Sequence, residues 1–146
     1  MYLLDSTHCI MIMSGDASLR QKVESLADVP MATCAVVAGE LFFGAYKSEQ
    51  AKRNIRLIES FLNSFHVYQV DMETAKTYGR LKSGILDRFG PEGKARRRIA
   101  RIEKLGFKDN NIWIAAIAKQ YDLTIVSADN DFQRLQSVED LKVENW

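Results

Sequence analysis

The amino-acid sequence predicts an α/β/α sandwich around a central, mostly parallel sheet of four to five strands. Two features lead there. Apolar runs of strand length alternate with helical patterns, and each run is continuously apolar, as a strand covered on both faces must be. Size agrees: 146 residues, 47% of them hydrophobic, suit one domain spanning 1–146 with a core of its own. This composition excludes a disordered chain and a disulfide-stapled miniature. No apolar run nears the 18 or so residues that cross a bilayer, so no membrane partner is expected. The opening, Met1-Tyr2-Leu3-Leu4-Asp5, lacks the basic stretch of an export signal. Cys9 and Cys34 lie among apolar residues and are expected as buried thiols in a reducing cytoplasm.

The elements follow in order. Residues 2–4 form an apolar strand that stops at Asp5. Ser18 and Gln21 have capping-box spacing, and Leu19, Val23 and Leu26 then follow at helical intervals. Residues 29–33 read as an edge strand, because Pro30 has no N–H to give a ladder. A helix is predicted over 35–46, although Gly39 and Gly44 disfavour it. Over 48–65 the apolar residues Ala51, Ile55, Ile58, Leu62 and Phe65 recur every three or four positions, one inward stripe. Residues 67–70 are β-prone, and Asp71 is placed to cap a helix with Ala75, Tyr78, Leu81, Ile85 and Phe89 on its core side. Gly90-Pro91 ends it. Ile99, Ile102 and Leu105 form a thin stripe on a further helix. Residues 111–119 are apolar nearly all round with three alanines, which predicts a buried helix. Residues 123–126 are a β-branched strand closing at Ser127-Ala128-Asp129, and 143–146 add a last short strand.

Charge is balanced overall, with 20 Lys+Arg against 19 Asp+Glu, but not evenly spread. Between residues 91 and 106 lie six basic side chains and two acidic ones, while the rest of the chain holds 14 basic and 17 acidic. A general polyanion-coating protein is excluded; a local basic block on an acidic body is not.

Ligands of an open parallel sheet bind beyond the carboxyl ends of its strands, so the acids there matter. Asp5 ends the first strand, and Asp129 and Asp131 follow the strand 123–126. Asp109 precedes the most apolar helix. Glu40 shares a helix face with Val36, Val37 and Phe43, where an ionised carboxylate needs a partner. Each has a plain alternative: helix cap for Asp109, turn residues for Asp129 and Asp131, a turn cap for Asp5. Together they suggest convergence. Two carboxylates 4 Å apart repel by roughly 4 kcal/mol at an effective dielectric near 20, a cost that a cation removes. An all-oxygen set suits Mg²⁺ or Mn²⁺. With only His8 and His66, and no ligand spacing between Cys9 and Cys34, zinc is not expected. His8 reads as a loop histidine with an incidental hydrogen bond.

At these positions the sequence resembles a PIN-domain ribonuclease of the VapC-like kind, the toxin of a type II toxin–antitoxin pair. The resemblance rests on Leu3-Leu4-Asp5-Ser6-Thr7, on Glu40-Leu41-Phe42-Phe43-Gly44-Ala45, on Asp109 with Trp113-Ile114-Ala115-Ala116-Ile117-Ala118, and on Val126-Ser127-Ala128-Asp129-Asn130-Asp131-Phe132. The four segments stand in the family's order along the whole chain. What the resemblance implies is a PIN-like fold in which Asp5, Glu40, Asp109 and Asp129 bind Mg²⁺, with Mn²⁺ as an alternative, and cut RNA. Asp5 and Asp109 would be the main ligands, and Glu40 would orient the attacking water. Asp129 would support a second or weaker metal, in competition with Asp131. Ser6 and Ser127 would fix carboxylate orientation. Thr7 stands where the family usually has Asn, and Val37 where it often has a hydroxyl; the stretch 91–106 is longer than its usual connection.

The function so implied is a Mg²⁺-dependent endoribonuclease toxin, cytoplasmic, homodimeric and held inactive by a cognate antitoxin. It requires Glu40 and Asp109 to point towards Asp5. The alternative is a PIN module that binds RNA without cutting it, tethered by Arg96, Arg97, Arg98 and Arg101. The basic block has three readings: an RNA-backbone contact, an antitoxin dock, or a solvated helix face. A phosphoacceptor domain of the receiver type fits poorly, since it needs paired acids after the first strand and a lysine where Asp129 stands.

Overall fold

The computed structural model describes residues 1–26 and 29–146. Strand β1 (Tyr2–Leu4) leads into α1 (Ser6–Ser14) and α2 (Ala17–Ser25). Strand β2 (Met31–Cys34) runs directly into α3 (Ala35–Tyr46), and α4 (Ala51–Leu62) precedes β3 (His66–Tyr68). Then come α5 (Met72–Phe89), α6 (Lys94–Ile99), a 3₁₀ turn (Ile102–Leu105), α7 (Asp109–Gln120), β4 (Thr124–Val126), α8 (Asn130–Leu135) and β5 (Lys142–Glu144). The five strands lie in the order β3-β2-β1-β4-β5 and all pair in parallel. Chain order reverses on either side of β1, which sets the switch point at the carboxyl ends of β1 and β4.

Continuous apolarity in β1 and β4 is explained by cover on both faces: Leu3, Leu4, Ile125 and Val126 are all fully buried. Helix α7, apolar all round, is buried along most of its length, with Ile112, Ile114, Ala115, Ala116 and Ile117 in the core. Two polar locks hold α5 against it. At one end Asp71, which forms a capping box with Thr74, accepts hydrogen bonds from Gln120 of α7. At the other, Asp109 accepts from Tyr78 and Lys82, and the Tyr78 and Trp113 rings stack with centroids 3.8 Å apart.

Four expectations need correction. Helix α2 is capped not by Ser18, which lies inside it, but by Asp16, whose side chain accepts from Leu19 N. Strand β2 is interior, between β3 and β1, not at an edge. Pro30 lies just before the strand, so its missing N–H costs the ladder nothing, and its carbonyl accepts from Tyr2 N. The stripe Ile99, Ile102 and Leu105 does not lie on one helix. The chain turns extended at Ala100, leaving Ile99 82% exposed on α6, while Ile102 is buried on the 3₁₀ turn. That turn is tied to α8 by Arg134, which donates to the carbonyls of Leu105 and Gly106, and Gly106 leaves it with the positive φ of 77° that suits glycine. Finally, His8 is no loop residue but a buried member of α1.

Cys9 and Cys34 are free and buried; burial pushes their thiols up to about 12 and about 11. Among the described residues no helix is long and apolar enough to cross a membrane.

Candidate active site

Asp5 leaves β1 in extended conformation and caps α1. Its Oδ1 accepts from His8 N and from His8 Nδ1, both at 2.8 Å, and its Oδ2 accepts from Ser127 Oγ at 2.5 Å. Three donors on one buried carboxylate fix its orientation and leave about one of its four lone-pair directions open. Ser127, the first residue after β4, also accepts from Asp129 N at 3.0 Å. A single hydroxyl thus couples the ends of β1 and β4.

Asp129 caps α8. Its Oδ1 accepts from Asp131 N, and its Oδ2 accepts from Lys108 Nζ at 2.7 Å and Asn111 Nδ2 at 3.1 Å. Burial alone would raise its carboxyl, but the hydrogen bonds from Lys108, Asp131 N and Asn111 outweigh that and hold it below the usual carboxylate range. The same contact raises the Lys108 ammonium. Glu40, half-buried on α3, accepts from Asn110 Nδ2 at 2.8 Å. Asp5, Ser6, Thr7, Glu40, Lys108, Asn111 and Asp129 line one hollow of about 240 Å³ beyond the strand ends.

Asp109, expected as a main ligand pointing towards Asp5, does not line it, so that requirement is met by Glu40 alone and the expected four acids are reduced to three, Asp5, Glu40 and Asp129. The Asp109 carboxylate faces α5, 2.6 Å from Tyr78 Oη and 2.8 Å from Lys82 Nζ, and is kept below the usual range by Lys82 and Tyr78 despite partial burial. The residue that α7 sends into the hollow is Asn111, two positions on. At about 100° per residue that spacing is about 200°, the opposite side of the helix. Asn111 is buried and donates Nδ2 to both Asp129 and Asp131. Asp131 sits behind the hollow, not on it: buried, it accepts from Lys108 N and Asn111 Nδ2, with Arg134 3.8 Å away. Among the described residues, no three His, Cys, Asp or Glu side chains converge as a ready-made metal cage.

The basic block is divided. Arg97 pairs with Asp87 at 2.7 Å and is half-buried, while Arg96, Arg98 and Arg101 are exposed. Arg101 borders a depression of about 540 Å³ together with Lys82 and Lys104.

The sequence pattern that defines the PIN domain matches residues 2–138. The chain belongs to the PIN-domain family. Among curated relatives it is 30% identical over 116 residues to Ribonuclease VapC2 of Haemophilus influenzae, covering 80% of this chain and 75% of that one. To the tRNA(fMet)-specific endonuclease VapC of Shigella flexneri it is 27% identical over 146 residues, covering 99% and 97%. Solved structures share its fold: VapBC2 from Rickettsia felis, bound to a promoter DNA fragment, superposes with a TM-score of 0.77 at 22% identity, covering 99% of this chain and 98% of that one. FitAcB from Neisseria gonorrhoeae gives 0.74 at 22%, covering 99% and 97%. PIN membership rests on this whole-chain match and does not depend on Asp109.

Proposed function

We propose that this PIN domain is a metal-dependent endoribonuclease, the toxin of a toxin–antitoxin pair. One observation carries the reading: Asp5, Glu40 and Asp129, far apart in sequence, line the same hollow at the switch point of the sheet. The donor chemistry suits a hard dication. The carboxylates of Asp5, Glu40 and Asp129 and the amide oxygen of Asn111 are oxygen donors, and no thiol or imidazole belongs to the lining. Mg²⁺, or Mn²⁺, bound there supplies an activated water and neutralises charge on a phosphodiester. Asp5, held rigid by His8 and Ser127, is the principal ligand. Glu40, with one oxygen tied to Asn110, orients the attacking water through the other. Lys108 faces the incoming phosphate, and Arg96, Arg98 and Arg101 contact the RNA backbone further out.

Related proteins named as ribonucleases or endonucleases and solved as VapBC assemblies support both halves of the reading. For the antitoxin, an apolar groove of about 390 Å³ runs from the hollow between α1, α3 and α4, lined by Ile10, Met13, Leu41, Leu57 and Ile58, and Glu40 borders both. An amphipathic partner segment laid there brings a basic side chain to Glu40. A homodimer in the cytoplasm completes the proposal.

The test is RNA cleavage by the isolated chain. It is expected to need Mg²⁺, to stop with EDTA and to fall at least a hundredfold in Asp5→Asn. Cleavage that persists in EDTA and in Asp5→Asn overturns the reading. RNA binding without cleavage in the wild type favours the non-catalytic module.

A further inference from the structure

The side of the hollow formed by α7 and α8 is already satisfied by the protein itself. Both oxygens of Asp129 carry donors: Asp131 N on Oδ1, and Lys108 Nζ and Asn111 Nδ2 on Oδ2. Asn111 contributes an uncharged amide where its place on α7 faces two carboxylates, and it donates to both. Asp131 behind them has Arg134 for company. The opposite side is different. Among the described residues, Asp5 and Glu40 make no hydrogen bond or ion pair with Lys or Arg; their donors are His8, Ser127 and Asn110, and Lys108 feels Glu40 only at longer range.

Resting on the metal reading above, we propose that the hollow takes one divalent cation, on the Asp5–Glu40 side, and that the Lys108–Asn111 pair stands in for a second. Electroneutrality argues for this count. Asp5, Glu40 and Asp129 bring three negative charges and Lys108 one positive, so a single dication balances the lining, while two leave it strongly positive beside an ammonium. The amide of Asn111 also points its N–H atoms at Asp129 Oδ2, where a second metal needs lone pairs. With one N–H on Asp129, the ammonium has two more with which to do what a second metal does for the substrate, which is to neutralise a phosphate oxygen.

Titration of the isolated chain with Mn²⁺ counts the ions, by calorimetry and by electron paramagnetic resonance of free Mn²⁺. One Mn²⁺ per chain is expected in the wild type, lost in Asp5→Asn. Lys108→Met, a change at a side chain 73% exposed, is expected to keep the fold and tighten that ion about fivefold. Asn111→Asp combined with Lys108→Met is expected to bind two, with a larger rise in melting temperature on Mn²⁺ addition than the wild type shows. Two ions in the wild type overturn the inference and leave the metal reading standing, whereas no ion at all removes both. An unchanged affinity in Lys108→Met, or one ion in the double variant, also overturns it.

Discussion

Ser127 Oγ lies 2.5 Å from Asp5 Oδ2, joining residues 122 positions apart. Because the same oxygen accepts from Asp129 N, the hydroxyl sets the spacing of the first and last acids of the hollow. Ser127→Ala leaves Asp5 Oδ2 buried without its donor, which costs about 1–3 kcal/mol. Loss of the carboxylate's orientation is expected to lower RNA cleavage about tenfold or more. Urea unfolding and single-turnover cleavage measure the two effects separately. Wild-type cleavage in this variant contradicts the positioning role.

Asp109→Asn separates the hollow from the lock between α5 and α7. Among the described residues, the Asp109 carboxylate bonds Tyr78 and Lys82 and none of the residues lining the hollow, and its side chain is 39% exposed. The variant is expected to lose about 0.5–1 kcal/mol of stability, with cleavage unchanged. A collapse of cleavage in a folded Asp109→Asn protein places this acid back among the reacting groups.

Acid stability isolates Asp71. The Thr74 backbone N–H, the Gln120 amide and the Thr74 hydroxyl lower its carboxyl to about 2 from an ordinary value of 3.8. A depressed folded-state pKa means that the contribution is complete above the unfolded value and is lost as pH falls from about 4 through about 2. Asp71→Asn removes that dependence, so its stability deficit is expected to shrink as pH falls from 4 to 2. Denaturant midpoints at pH 5, 3.5 and 2.5 check the sign; a deficit that grows on acidification refutes it.

The arginines of α6 and its exit are expected to act differently. Neutralising Arg96, Arg98 and Arg101 in an Asp5→Asn background is expected to remove the three proposed phosphate contacts and to reduce the slope of log affinity against log salt by about 2 for single-stranded RNA. Arg97→Ala, which breaks the pair with Asp87, is expected to lower stability and leave that slope unchanged. Fluorescence anisotropy across a salt series decides; an unaltered slope in the triple variant leaves the block as a solvated face.

Much of the fold is legible in the sequence because its signals are local. Apolar runs at 2–4 and 123–126, the Asp71 cap and the stripe of α5 all correspond to observed elements. Helix α1 was not foreseen, because Ser6–Ser14 is apolar with no clean stripe and its cap, Asp5, also ends a strand. Asp5, Glu40 and Asp129 could be picked out because strand ends and an acid on an apolar face are visible in one dimension. Asp109 could not be told from Asn111 as the residue facing the hollow. A helix apolar on every side offers no face, and a search for acids passes over an amide. Only the packing of α7 between α5 and α8 decides which side each residue takes.

The parallel order of the sheet also has a temporal side. Asp5 is made 122 residues before its hydroxyl donor Ser127, and the opposing wall of the hollow at Asp129 follows a strand that can pair with β1 only after that interval. A chain cut anywhere between these two strands therefore holds only one wall of the hollow, and the proposed chemistry can begin only once β4 has paired with β1.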